Sequence, residues 1–211
     1  MFQTGFLTLG RIRGAPIRFH WSVLVGVLFL TGFRFAPAAW LGIVALIVVH
    51  ELGHAALVLR YGLRVMSIDV HGFGGECRWA GEATPWQRAV IAWGGVLAQL
   101  VLLAGTFGFI YAIGAPVTGF GREIAAVFTE TNLMLMAINL LPVPPLDGSN
   151  AWSIVRLWRS RRASASRGRR AEAKKELRRI EQMDYGRGGL SDEDEARVRK
   201  LFADAEAREK R

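Results

Sequence analysis

His50-Glu51-Leu52-Gly53-His54 lies inside an apolar run from Ala36 to Leu59. It is an H-E-x-x-H pentad. Positions i and i+4 share one face of a helix, so His50 and His54 can turn toward a single metal ion. Glu51, one residue on, can reach a water at that metal as general base. The flanks are Leu41-Gly42-Ile43-Val44-Ala45-Leu46-Ile47-Val48-Val49 and Ala55-Ala56-Leu57-Val58-Leu59. They read as a membrane helix, where an ionisable side chain is costly and usually functional. The pentad alone leaves a second reading open, in which the three polar residues pair with neighbouring helices and bind nothing.

A third candidate ligand stands at the end of a later apolar span. There the chain reads Asn139-Leu140-Leu141-Pro142-Val143-Pro144-Pro145-Leu146-Asp147-Gly148. Three prolines in four residues cannot continue a regular helix. Broken backbone at membrane depth is tolerated where protein buries it or where it lines a wet cavity. Asp147 beside Gly148 is placed to reach inward from such a break. Two His, one carboxylate and an open position are the layout of a catalytic zinc site. By itself Asp147-Gly148-Ser149 is also good turn or helix-capping chemistry. Beside the pentad, the ligand is the favoured reading.

The two motifs together resemble those of the site-2 proteases, intramembrane zinc metalloproteases. The family pairs H-E-x-x-H in one transmembrane helix with N-x-x-P-x-x-x-L-D-G in a later one. Both are complete here and in that order, as His50 to His54 and as Asn139, Pro142, Leu146, Asp147 and Gly148. The resemblance covers about residues 14–158. It implies that His50, His54 and Asp147 bind zinc and that Glu51 is the general base. It also implies a transmembrane-helix substrate, cut within or near the bilayer after a first cut elsewhere. The chain departs from the family in its third core span. A Gly-Pro pair followed a turn later by Asn is usual there, and this chain has Gly94-Gly95-Val96-Leu97-Ala98-Gln99.

Composition supports a membrane domain with a charged appendage. The chain has 211 residues, 51% of them hydrophobic, and a net charge of +9. Of its 27 Lys and Arg, 17 lie beyond Trp158, in a stretch almost without aromatics. The expected division is a cytoplasmic segment 1–16, a metalloprotease core 17–158 and a basic tail 159–211. Cys77 is the one cysteine, which excludes an intrachain disulfide and makes it a poor zinc ligand.

Four apolar segments stand out, about Ile17–Phe33, Ala36–Leu59, Ala89–Ile113 and Ile124–Leu146. They predict an all-α polytopic membrane protein with about four transmembrane helices, a small membrane-associated β-hairpin and a charged helical tail. No small-residue cleavage site follows the first segment cleanly, so it is read as a retained anchor. Arg11, Arg13 and Arg18 precede it; Arg60, Arg64, Arg78 and Arg88 lie between the second and third. The positive-inside rule then puts both termini and the 60–88 loop in the cytoplasm. His54 is six residues from Arg60, or roughly 9 Å along a helix, so the metal is expected in the cytoplasmic third of the membrane.

In that loop, 65–71 and 76–79 are strand-like runs around the turn Gly72-Phe73-Gly74-Gly75. Family members carry a hairpin with paired glycines at this place. An exposed edge there can pair with an unwound substrate, which makes Gly74, Gly75 and His71 candidate substrate contacts. A bare connector on the bilayer surface is the alternative, and for His71 a fourth, inhibitory metal ligand or a simple interfacial histidine. Asn139 has two readings, a donor to the oxyanion of the attacked carbonyl or an interhelical hydrogen bond. Glu130 in the fourth segment fits either a water path or the outer interface.

The tail's arginines suit anionic lipid headgroups. Nucleic acid is not expected as a partner, since interleaved aromatics and any known module are missing. Residues 171–183 are expected to be helical, Gly186–Gly189 to break the helix, and Ser191 to cap a second one. The function that collects these readings is an intramembrane zinc protease. The rival classes are a catalytically inactive homologue that binds membrane segments as adaptor or chaperone, and, less favoured, a metal transporter.

Overall fold

The computed structural model describes residues 5–184 and, beyond them, 192–193, 196–197 and 199–200. The N-terminal segment, read above as a cytoplasmic lead-in, folds into two strands, β1 (Phe6–Ile12) and β2 (Ala15–His20). Arg13 and Gly14 between them both have positive φ, 47° and 88°. Two-residue hairpin turns of that kind match the twist of the strands they join. β3 (Arg64–His71) and β4 (Gly74–Ala80) form the second hairpin, and the sheet order is β1-β2-β3-β4. The hairpins are joined by a parallel pairing of β2 with β3, in which Arg18 faces Asp69. Arg18 grips the Asp69 carboxylate with Nε and one terminal nitrogen, both at 2.7 Å.

This sheet overturns the all-α expectation. So does the count of spans. Among the described residues two helices are long and apolar enough to cross a membrane, α2 (Pro37–Arg60) and α3 (Pro85–Ile113). The segment Ile17–Phe33 divides between β2 and a short helix, α1 (Val23–Leu30). Eight residues of helix reach about 12 Å, far short of a hydrocarbon core of roughly 30 Å. The segment Ile124–Leu146 is broken as well. It runs through α4 (Gly119–Ala126), a π-helical turn (Val127–Thr131) and α5 (Asn132–Asn139), then leaves helix altogether from Leu140 to Asp147. Two short pieces end the core: α6 (Gly148–Ala151) and the start of α7 (Ser153–Asp184).

α2 is the central element. Its C-terminal half and the start of α3 pack against the sheet through Ala55, Val58, Val65, Ile68 and Ile91. Its N-terminal half packs through Ile43 and Leu46 against Val27 and Val127. His50, Glu51 and His54 sit between these two apolar clusters. α2 and α3 touch backbone to backbone at Gly53 and Gly94, where a Cβ on either would overlap the other's main chain. Burial of the apolar clusters drives the packing, and the glycines set how close the helices come. α3 carries Pro85 in its first turn and a capping box, with Thr84 Oγ1 accepting from the Gln87 N–H and Gln87 accepting from the Thr84 N–H. Much of its far half is apolar and exposed, as at Val101, Phe107, Phe109 and Ile113.

From Val155 onward the chain forms a second compact unit. Its described part is the continuation of α7 to Asp184, a strongly basic helix in which Arg162 stacks 3.6 Å over the Trp158 ring. The expected break at Gly186–Gly189 and the cap at Ser191 lie outside the described residues.

Candidate metal centre

His50 and His54 are one turn apart on α2, and both are buried. Their Nε2 atoms lie 3.1 Å from each other. Asp147 Oδ2 lies 2.8 Å from His50 Nε2 and 3.1 Å from His54 Nε2. Among the described residues this trio is the group of His, Cys, Asp and Glu that could hold a metal ion.

The other ring nitrogens explain why the trio suits a cation. His54 Nδ1 is 2.7 Å from the Ile91 carbonyl oxygen, which can only accept, so Nδ1 carries the hydrogen. His50 Nδ1 is 2.9 Å from Gln99 Oε1 and donates to it. A neutral imidazole with its proton at Nδ1 presents a bare lone pair at Nε2. With both rings neutral, two such lone pairs and a carboxylate oxygen converge on one point. A cation satisfies that arrangement. A tetrahedral zinc ion at ~2.0–2.1 Å from each ligand would need ligand atoms roughly 3.3 Å apart, close to what is seen. Each outer hydrogen bond fixes a ring's orientation and tautomer, as partners of metal-bound His generally do.

Three elements deliver these groups. α2 supplies both His by its 3.6-residue repeat. α3 supplies the orienting acceptors, Ile91 and Gln99, and Gly95 leaves room for the His50 ring, which a Cβ there would overlap. The broken segment after α5 supplies Asp147. Gln99 is 1% exposed, and its own backbone carbonyl accepts from Asn132 Nδ2 at 3.0 Å. The sequence alone leaves the role of this amide open. The signal that marks it is a polar side chain buried in the middle of an apolar helix.

Glu51 is buried beside the trio but outside it, with β4 lying over its carboxyl group. A Cβ on Gly75 would overlap the Glu51 side chain. β4 is the last strand of the sheet, so one of its edges takes no strand partner among the described residues. Gly74 pairs with His71 at the hairpin turn, and His71 Nδ1 accepts from the Phe73 N–H at 3.3 Å. His71 is not one of the converging ligands. Nor is Cys77, whose thiol is pushed up to about 12 by burial, then by the charges of Glu51 and Glu76, and stays protonated. Asn139 closes α5, half-buried. No hydrogen bond ties its amide to His50, His54 or Asp147. Glu130 lies exposed on the π-helical turn.

No protein-family model matches the chain. It is 36% identical over 177 residues to the candidate zinc metalloprotease Rip3 of Mycobacterium tuberculosis, which covers 72% of this chain and 44% of that one. It is 39% identical over 107 residues to the candidate zinc metalloprotease sll0528 of Synechocystis, covering 50% of this chain and 28% of that one. The chain thus spans less than half the length of these curated relatives. Among solved structures it is similar to the site-2 protease from Methanocaldococcus jannaschii, with a TM-score of 0.56, 20% identity and coverage of 96% of this chain and 94% of that one. That likeness is one of fold.

Proposed function

The chain belongs to the site-2 protease family, and on that premise we propose that it is a zinc endopeptidase cutting transmembrane-helix substrates in or near the cytoplasmic side of the bilayer. The observation that carries the reading is the convergence of His50 Nε2, His54 Nε2 and Asp147 Oδ2 on one point, beside a carboxyl group that is not one of them. His50, His54 and Asp147 would hold the zinc. When bound, zinc supplies a Lewis acid that makes water a nucleophile near neutral pH and polarises a carbonyl.

The remaining steps belong to the chain's own residues. Glu51 takes the proton of the attacking water and later delivers it to the amine leaving group. Asn139 donates to the oxyanion of the tetrahedral intermediate. A helix hides its carbonyls in its own hydrogen bonds, so the substrate must unwind. The free edge of β4, near Gly74, Gly75 and His71, offers main-chain partners to the unwound segment. Since β4 also covers Glu51, a strand added there would lie close to the base.

The orientation follows from charge. The sheet gathers the N-terminal hairpin and the 64–80 hairpin on one side of the protein, and that side carries Arg11, Arg13, Arg18, Arg64 and Arg78. This is the cytoplasmic face by the positive-inside rule, with both termini cytoplasmic. The basic tail meets anionic lipid headgroups.

The test is co-expression with a panel of single-span membrane proteins, comparing the intact chain with Glu51→Gln. Cleavage by the intact chain, lost in Glu51→Gln with zinc content unchanged, supports the reading. Removing a general base typically costs about 10²–10⁴-fold in rate. Equal cleavage by both removes Glu51 from the mechanism. Binding of the same helix by both without cleavage favours an adaptor instead.

A further inference from the structure

Asp147 is the one proposed ligand that stands on irregular backbone. The loop from Leu140 to Asp147 is closed at its neck. Gly148 presses against the main chain of Leu140 and Leu141, which a Cβ there would overlap. Trp152 Nε1 reaches back across the neck and donates to the Leu140 carbonyl at 2.7 Å. Trp93, on α3, donates through Nε1 to the Ala151 carbonyl at 3.1 Å. The two indoles meet edge to face, with ring centroids 5.6 Å apart and planes at 78°. Trp152 thus ties the entry of the loop to its exit, and Trp93 ties the exit to α3.

α3 is the common reference for the whole centre. Ile91 orients His54, Gln99 orients His50, and Trp93 lies two residues from Ile91 on the same helix. We propose that Trp93 and Trp152 are positioning residues that clamp the Asp147 loop to α3, so that the carboxylate is held at ligand distance from both His Nε2 atoms before a divalent cation arrives. The inference rests on the metal reading given above. The physical reason is preorganisation. A ligand on free coil must lose backbone freedom when the ion binds. A clamped ligand has lost it on folding. A supporting shell of this kind commonly affects metal affinity by about 10–100-fold.

The test uses the full chain in lipid nanodiscs. Three variants make the same change, Trp to Phe, which keeps an aromatic ring and removes the N–H. Trp152→Phe and Trp93→Phe each break one tie. Trp40→Phe is the control, since it removes an equivalent bond, Trp40 Nε1 to Thr31 Oγ1 at 3.0 Å, in the other cluster of the core. Two readouts are taken: the rate of zinc release to a chelator, and the visible spectrum of the cobalt(II)-loaded protein, which reports coordination geometry. The expected result is roughly tenfold faster release in Trp152→Phe and in Trp93→Phe, with an altered cobalt spectrum, while Trp40→Phe matches wild type. If one clamp variant fails to fold, the other carries the test. Wild-type release and spectra in both clamp variants overturn the proposal. So does equal acceleration in all three, which would mean general loosening. If the wild-type chain binds neither zinc nor cobalt, it is the metal reading that fails.

Discussion

Gly75 of β4 lies against the Glu51 side chain so closely that no Cβ fits between them. The residue proposed as base and the strand proposed to receive substrate are therefore one packed unit. Any side chain at position 75 must push the strand outward or turn the carboxyl group away. Gly75→Ala is expected to keep zinc and to slow cleavage of a helical substrate by on the order of 10²-fold, the lower range for loss of a general base. Single-turnover cleavage beside a metal determination checks this, and an unimpaired variant would separate β4 from the chemistry.

Gln99 accepts from His50 Nδ1. Gln99→Leu leaves that N–H without its acceptor in a buried site, and the ring loses what fixes its tautomer. Zinc affinity is expected to fall about 10–100-fold. Competition with a chelator of known affinity measures the change. Gln99→Glu retains an acceptor and should lose less than Gln99→Leu.

Gly94 sits where α2 and α3 meet backbone to backbone, three residues after Ile91, whose carbonyl accepts from His54. Gly94→Val cannot be absorbed by a rotamer change, because the obstacle is the main chain of Gly53 and His54. Overpacking of this kind costs about 1–3 kcal/mol or more. Thermal unfolding in detergent should show a lowered midpoint, and metal should be lost with it, since the helices that carry the ligands and their acceptors are forced apart.

The described tail places no proposed catalytic or ligand group beyond Asp147. Truncation after Trp158 is expected to leave zinc content and cleavage of a saturating substrate unchanged. Its effect should appear in binding to vesicles with anionic headgroups, at about 1 kcal/mol for each basic residue that reaches the surface. A truncated chain that keeps full vesicle binding would remove the lipid role.

His50 and His54 could be assigned to one face from spacing alone, because a helix repeats every 3.6 residues whatever surrounds it. The break around Pro142, Pro144 and Pro145 was equally local, since proline removes a helix donor wherever it stands. The four-span picture failed for a physical reason. Apolar composition measures how much a segment prefers to leave water, and it does not say whether the backbone stays helical for the length of a span. Ile17 to Phe33 is divided at His20 because its first residues pair with β1 and β3, and pairing of β2 with β3 joins residues some fifty positions apart. Nothing local marks such a partner.

The centre divides in the same way. Its candidate ligands and base were legible as residue types at fixed spacings along the chain. The acceptors behind the rings, Ile91 and Gln99, were not, for one is a backbone carbonyl that any residue carries and the other acts only through its distance to His50. The clamp of Trp93 and Trp152 was hidden for a like reason: an indole N–H shows no preference for one carbonyl over another until the fold brings Leu140 and Ala151 within its reach.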